Sequence, residues 1–397
     1  MMQISPETQL FIREHSSDDV RVLALQAKKY PDIDMPTAIT QIAGRKVAAE
    51  KIPSWWEIEK IWYPKHLSLE QCSSEITARY KARLLQGDSL TDLTGGFGID
   101  CSFLATGFKS ATYVERQEEL CEIAAHNFPV LNLNHINIKN EDGVTYLQVM
   151  SPVDCLFLDP ARRNEHGGKT VAISDCEPNV AELEELLLQK ANRVMIKLSP
   201  MLDLSLALKE LKQTQEVHIL SVNNECKELL ILLGQTSPAE ISIHCVNLFT
   251  KGTQKEQHFV FTREQEQCSE CTYTDSLETY LYEPNASLLK AGAFRSIAAA
   301  YPVRKLHPNS HLYTSDTFIE NFPGRIFRIV NQCSFNKKEV KENLADLKKA
   351  NVTVRNFPAT VAELRKRIHL AEGGDTYLFA STLNNGQKVL ILSLIHI

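Results

Sequence analysis

The chain has 397 residues, 43% of them apolar and 23% charged, with 43 basic against 49 acidic side chains and a formal net charge of −6. Such a balance belongs to an ordinary globular protein long enough for two to four domains, and it excludes disordered, collagen-like and membrane-spanning classes, since nowhere do eighteen apolar residues follow one another. The 10 Cys are scattered rather than spaced as a disulfide framework, and the start shows no basic segment followed by an apolar one, so the expected location is cytoplasmic. Residues 1–65 predict a helical region in short pieces, over 6–14, 18–29 and 36–50, the last broken by Gly44, with Pro31, Pro36 and Pro53 between them. Trp55, Trp56 and Trp62 follow; three rings this close either pack a domain junction or stack bases, and packing is the expectation.

Residues 66–277 predict an α/β core. Leu69 to Tyr80 reads as one helix opened by Ser68, with Gln71 at the capping-box position. Then Ser89-Leu-Thr-Asp92-Leu-Thr94-Gly95-Gly96-Phe-Gly98 puts a carboxylate at the end of a short apolar strand, with glycines directly after it and a helical run behind. Glycine adopts backbone angles closed to other residues and lets a ligand approach the main chain, so the pattern is either a nucleotide-cofactor loop or a tight strand-to-helix turn. A dinucleotide fingerprint would place glycine first. The next strand, Ala111 to Val114, ends in Glu115, suited to accept from vicinal ribose hydroxyls, and a third, Ile136 to Ile138, leads to Asp142-Gly143, either a solvated strand end or a partner for an adenine amino group. Together these form a β-α-β-α-β register with an acid at each carboxyl end, where open α/β sheets bind ligands. A fourth, nearly continuous apolar strand ends in Asp159-Pro160-Ala161-Arg162-Arg163, and a fifth, Arg193 to Leu198, is followed by Ser199-Pro200. A helix near 202–211 and two runs, Val217–Val222 and Leu229–Leu233, read as a closing hairpin; Ile241–Val246 and His258–Phe261 add two more strands.

Asp92 with Gly96 and Gly98 at plus four and plus six resembles motif I of the class I S-adenosylmethionine (SAM) dependent methyltransferases. Asp159-Pro-Ala-Arg162 resembles their motif IV, and the segment before the glycine loop stands where motif X belongs. Motif I is also similar to that of cap-guanine N2 methylases. The resemblance implies a seven-stranded, mostly parallel Rossmann-like core whose last strand is antiparallel. It also implies SAM as cofactor, held by Asp92, Thr94, Gly95, Gly96, Gly98, Glu115, Asp142 and Asp159. Motif IV of amino-group methylases ends in an aromatic that stacks on the base, whereas Ala161 and Arg162 stand there instead, and Asp-Pro-x-Arg is nearer the motif of RNA uridine C5 methylases. Those use a cysteine after the fifth strand; Ser199 occupies that neighbourhood, and a neutral hydroxyl without a base cannot replace a thiolate. Direct transfer to a nitrogen is therefore expected, with Asp159 orienting the nucleophile and Arg162 and Arg163 either gripping a substrate phosphate or pairing on the surface.

Tyr280-Leu-Tyr-Glu283-Pro284-Asn285 opens a small module with a helix to about 300. Residues 278–322 resemble a small ferredoxin-like segment, and 323–397 a THUMP-like domain, of a family of bacterial class I methyltransferases; Arg325-Ile-Phe327 and Gly373-Gly374-Asp375-Thr-Tyr377-Leu-Phe379 carry the second likeness. In chain order these small α+β parts predict strand 326–330, a helix capped by Asn336 with Glu339, strand 352–354, a helix opened by Thr360 with Glu363, and a hairpin turning at Asn385-Gly386. From Asn321 onward there are 12 basic and 6 acidic residues, against 31 and 43 before it. Lys337, Lys338, Lys341, Lys348, Lys349, Arg355, Arg365, Lys366 and Arg367 form either a solvated helical face or, as the resemblance implies, a face for RNA phosphates. Cys268-Ser-Glu-Cys271 lacks a second pair, and no metal is expected. The expected function is SAM-dependent methylation of a base nitrogen in tRNA or rRNA. The alternatives are RNA or SAM binding without turnover, or a small molecule or protein as acceptor. The apolar run 390–397, which stops without a polar tail, is expected to mark a truncated or partly foreign end.

Overall fold

The computed structural model describes residues 4–162, 172–236, 238–345 and 347–395. Side-chain oxygens of Ser5, Asp19 and Asp34 accept from backbone amides at the starts of the helices Pro6–Glu14, Val20–Leu25 and Met35–Lys51, satisfying donors that the first turn leaves unpaired. Gly44, expected to break the third helix, lies within it. A Cβ there would stand 2.3 Å from Tyr63 Cβ, so the glycine serves close packing rather than a turn. Phe11, Leu23, Met35, Ala38 and Ile42 form one small core, while Ile52, Trp55 and Tyr63 share another with Phe97 and Ile99 of the glycine corner.

One sheet has nine strands among the described residues. In chain order they begin β1 (Ser89–Asp92), β2 (Ser110–Glu115), β3 (Ile136–Asn140) and β4 (Val153–Leu158). After them, β5 (Ala161–Arg162) and β6 (Cys176–Glu177) pair as a separate ribbon. The sheet resumes with β7 (Ala191–Leu198), β8 (Thr214–Val222), β9 (Glu225–Gly234), β10 (Ser242–Leu248) and β11 (Glu256–Thr262). Its order is β11-β10-β8-β9-β7-β4-β1-β2-β3. Pairs β1–β2, β1–β4, β2–β3, β4–β7 and β8–β10 are parallel, whereas β9 opposes β7 and β11 opposes β10. The seven expected core strands thus lie in a nine-stranded mixed sheet, and the two added runs are β10 and β11: β10 pairs with the outer edge of β8 and occupies backbone groups that an edge strand leaves open. The turn between β8 and β9 is shorter than the polar stretch suggests: Asn223 and Asn224 alone take positive φ, 49° and 67°, and so close a two-residue hairpin.

The chain divides into two compact units, residues 1–215 with 229–238, and residues 216–228 with 239–397. In the second unit β12 (Tyr280–Pro284), β13 (Arg304–Lys305), β14 (Tyr313–Ser315), β15 (Gly324–Ser334), β16 (Asn351–Val354), β17 (Thr376–Thr382) and β18 (Lys388–Ile395) make a second sheet. Its order is β13-β14-β12-β15-β18-β17-β16. The expected β-α-β-α-β-β succession runs from β15 through the helices Lys337–Leu344 and Val361–Ile368 to β18. Thr360 and Glu363 form the reciprocal cap; Glu339 instead accepts from Ser334 N at 2.7 Å while Asn336 caps its helix. The single helix expected after Asn285 is two, Ala286–Ala291 and Ser296–Ala300, parted at Gly292 with φ 77°. The apolar run from Leu390 is an inner strand between β15 and β17, which accounts for its composition, and residues 396–397 lie outside the described ones. Glu283 on β12 has a side chain only 2% exposed, clamped by Arg325 of β15 and by Arg355 at 3.0 Å. Arg355 is therefore spent on an internal ion pair rather than on the expected basic face.

Candidate cofactor and catalytic site

The site is built at the carboxyl ends of β1, β2 and β4. Asp92 ends β1, 1% exposed; its Oδ1 accepts from Thr94 N at 3.0 Å, and its Oδ2 is buried without a partner. Burial chiefly, and then the charges of Asp100, Asp159 and Glu115, lift its carboxyl well above the usual range against the pull of the Thr94 amide. The corner then folds back on itself: Gly95 N donates to Val114 O and Gly98 N to Gly95 O, both at 2.9 Å. Gly95 is demanded by space, since a Cβ would lie 2.2 Å from the Tyr113 ring. Gly96 is demanded by backbone, with φ +53°, and a Cβ there would meet nothing nearer than Thr94 O at 3.8 Å. The space beside the Gly96 Cα is therefore open, while its N–H donates to Glu115 and its carbonyl accepts from Tyr113. Gly98, φ +86°, begins the helix Ile99–Ala105 and lies against Phe128.

Glu115 closes β2 as the pattern predicts. Its two oxygens accept from Gly96 N at 2.9 Å and Gln117 N at 2.8 Å, which ties the carboxylate to the glycine corner and leaves each oxygen a second lone pair. Asp142 does local work: its Oδ1 accepts from Val144 N and Thr145 N, both at 3.0 Å, and caps the helix Gly143–Val149. Gly143 lies so close to β1 that a Cβ would be 2.1 Å from Leu93 O.

Asp159 is joined to the corner through its backbone, its amide donating to Thr94 Oγ1 at 2.6 Å. Its side chain, 35% exposed, accepts through Oδ2 from Lys197 Nζ of β7. Desolvation by the surrounding chain raises the Asp159 carboxyl, and the Lys197 ammonium opposes that rise. Lys197 belongs to a network that sequence reasoning missed. Its Nζ is 3.9 Å from Asp100 Oδ2, and Asp100 pairs at 2.8 Å with the fully buried Lys81. Ser73 Oγ donates to Asp100 Oδ2 and accepts from Lys81 Nζ, each at 2.7 Å. Burial works against charge on Asp100, yet the Lys81 and Lys197 ammoniums hold its carboxyl below its usual value.

The expected single helix from Leu69 to Tyr80 is two, His66–Gln71 and Glu75–Ala82, and Lys65 rather than Ser68 stands at the first N-cap. That break lets Ser73 turn to Asp100. A lysine within the apolar run Val194-Met-Ile-Lys197-Leu was the available signal for the network. Arg162 lies on β5, opposite Cys176; its side chain and all of Arg163 fall outside the described residues.

Trp55 is buried edge-to-face on Phe97 at 5.2 Å, Trp62 stacks on His126 at 3.7 Å, and Trp56 is exposed with Arg45 over its ring. Two of the three rings are thus used in packing. In the second unit Lys337, Lys338, Lys341, Lys348, Lys349, Lys366 and Arg367 are exposed, while Arg365 lies 3.4 Å from Glu372. Cys268 and Cys271 are unbridged. No helix among the described residues is long and apolar enough to cross a membrane.

The arrangement selects for positive charge. The carboxyls of Asp92, Glu115 and Asp159 border the glycine corner, Asp159 paired with Lys197, and the buried Asp92 Oδ2 calls for a donor; an ammonium supplies one, which a pyrophosphate does not. SAM carries an ammonium and no phosphate, so the residues present fit it.

Two family models match the chain, a ferredoxin-like domain over residues 280–323 and a THUMP domain-like model over residues 324–393. No curated protein matches it. Among solved structures, a candidate methyltransferase from Porphyromonas gingivalis W83 is 34% identical over 100% of both chains, with a TM-score of 0.88. An rRNA methylase from Streptococcus thermophilus is 16% identical over 40% of this chain and 93% of its own, TM-score 0.30. SMU.1697c, a candidate methyltransferase from Streptococcus mutans in complex with SAH, is 14% identical over 40% and 96%, TM-score 0.30. Overlaps as slight as the last two support no inference.

Proposed function

This chain belongs to the family of bacterial class I methyltransferases with a C-terminal THUMP-like domain, and on that premise we propose that it transfers the methyl group of SAM to a base nitrogen in structured RNA, tRNA or rRNA. The observation that carries the reading is the Thr94 Oγ1 to Asp159 N bond, which fixes a motif IV carboxylate beside the corner whose buried Asp92 Oδ2 lacks a donor. When bound, SAM supplies an electrophilic methyl group on a sulfonium centre. Asp92 takes the ammonium of its amino-acid end, and Thr94, Gly95, Gly96 and Gly98 bring main chain against it. Glu115 uses its remaining lone pairs for the ribose hydroxyls, and Asp142 accepts from the adenine amino group. Asp159 holds the acceptor nitrogen in line and accepts its hydrogen. The raised carboxyl of Asp159 suits it to that task, and Lys197 fixes its rotamer. Arg162 grips a substrate phosphate.

RNA is the favoured acceptor because exposed lysines are concentrated in the THUMP-like part of a chain that is otherwise acidic. The test is transfer of isotope-labelled methyl from SAM into total RNA from cells lacking the protein, followed by nucleoside analysis. Label should appear in one modified base with the unmodified protein. Asp159→Ala should lower transfer by roughly 10²-fold or more while SAM affinity stays nearly intact. Stabilisation by SAM without any transfer would establish the binding-only reading, and stabilisation by NAD but not SAM would remove the proposal.

A further inference from the structure

The second unit holds another cluster of chemistry-bearing side chains that plays no part in the proposed methyl transfer. On the parallel pair β8–β10, His218 stands opposite His244, and Glu216 lies two residues before His218 on the same face. Antiparallel β11 puts Val260 opposite His244, so His258, two residues from Val260, shares that face. Three neighbouring strands therefore present Glu216, His218, His244 and His258 together.

We propose that Glu216, His218 and His244 form a binding site for one divalent transition-metal ion, zinc above all, that clamps β8 to β10, with His258 of β11 beside His244 as a further ligand once its ring swings in. Imidazole nitrogen and carboxylate oxygen are the donor types zinc takes, and two His and one Glu hold three positions of a tetrahedral ion and leave the fourth to water or to His258. Donor atoms of Glu216, His218 and His244 all lie within 4.8 Å of one another. His218 Nε2 is 3.2 Å from Glu216 Oε2, and His244 Nδ1 is 3.1 Å from His258 Nε2. A tetrahedral ion with bonds of about 2.0–2.2 Å spaces its donors by roughly 3.4 Å, so both pairs need only slight opening. The His218 and His244 rings run side by side, 4.3 Å apart and 16° from parallel, which lets both present a nitrogen in one direction. His218 is buried, with Glu216 34% exposed and His258 exposed. An ion can thus enter from the His258 side.

The test uses untagged full-length protein stripped with a chelator and titrated with Co²⁺ and then Zn²⁺. One equivalent of Co²⁺ should give visible ligand-field absorption that Zn²⁺ displaces, and Zn²⁺ should raise Tm. His244→Ala should weaken binding by roughly 10- to 100-fold, and His258→Ala, at an exposed position, by less. Far-UV circular dichroism of the stripped variants checks that each is folded. A Cys268→Ser/Cys271→Ser double variant should bind as the unmodified protein does. Absence of stoichiometric binding overturns the site and leaves an N–H···N hydrogen-bonded ladder. Undiminished binding by His244→Ala, or loss of binding in the cysteine double variant, overturns it as well.

Discussion

Gly95 and Gly96 are adjacent and identical in composition, yet they are glycine for different reasons, and substitution separates them. Gly95→Ala drives a methyl into the buried Tyr113 ring, 2.2 Å away, and should cost about 1–3 kcal/mol of stability by overpacking. Gly96→Ala meets open space and bears only the strain of φ +53°, about 1–2 kcal/mol. Its larger effect should be on SAM, whose approach to the main chain the methyl obstructs. Tm and SAM Kd measured for both variants check this, and a Gly96→Ala protein that binds SAM unchanged contradicts the proposed cradle. Lys81 lies outside any motif but is fully buried against Asp100. Lys81→Met leaves that carboxylate buried with the Ser73 hydroxyl and with Lys197 at 3.9 Å instead of a close ammonium, and should cost about 3–5 kcal/mol in urea unfolding. Because the Asp100 carboxyl is held below its unfolded value, its contribution is complete above about pH 4 and disappears as pH falls further. The loss caused by Lys81→Met should therefore shrink as acid is added below that point.

Among elements, the two C-terminal modules are joined by one ladder. Strand β12 of the ferredoxin-like segment pairs with β15 of the THUMP-like segment, and Glu283 reinforces the seam between Arg325 and Arg355. Glu283→Ala leaves two guanidiniums without their carboxylate and should destabilise the unit by about 3–5 kcal/mol. Hydrogen exchange should speed up along β12 and β15 together; acceleration of one strand alone would mean that they are not a cooperative unit. Elements whose signal is local were legible in the sequence. Thr360 with Glu363 bonds its own next turn, the apolar runs of β4 and β7 are buried on both faces, and Asn385-Gly386 closes its hairpin. Boundaries that depend on a distant partner were not. The helix break at Ser73 exists because Asp100 and Lys81 attract that hydroxyl, and Gly44 remains helical because Tyr63 packs on it.

For the whole molecule, charge is the property with a measurable consequence. The part from Asn321 onward carries 12 basic and 6 acidic residues in a chain of net charge −6, so association with RNA should depend on that part and weaken with salt. Replacing Lys337, Lys338 and Lys341 by Ala should lower the slope of log affinity against log salt by roughly 2–3 if all three meet phosphate. An unchanged slope would relegate them to a solvated face. SAM affinity should not move in that triple variant.

The sequence by itself determined the class of the fold and the position of the acid-and-glycine corner, because an acid at a strand end, the glycines after it and the caps of the C-terminal helices act within a few residues along the chain. It also placed Glu115 and Asp159 at strand ends. Only the tertiary structure decided that Lys197, Asp100, Lys81 and Ser73 converge behind Asp159, that Arg355 is spent on Glu283, and that two histidines and a glutamate meet on β8 and β10 with His258 beside them on β11. Those associations depend on strand order and register between segments far apart in sequence, and a hydrophobic pattern specifies which face is buried without specifying which strand becomes its neighbour.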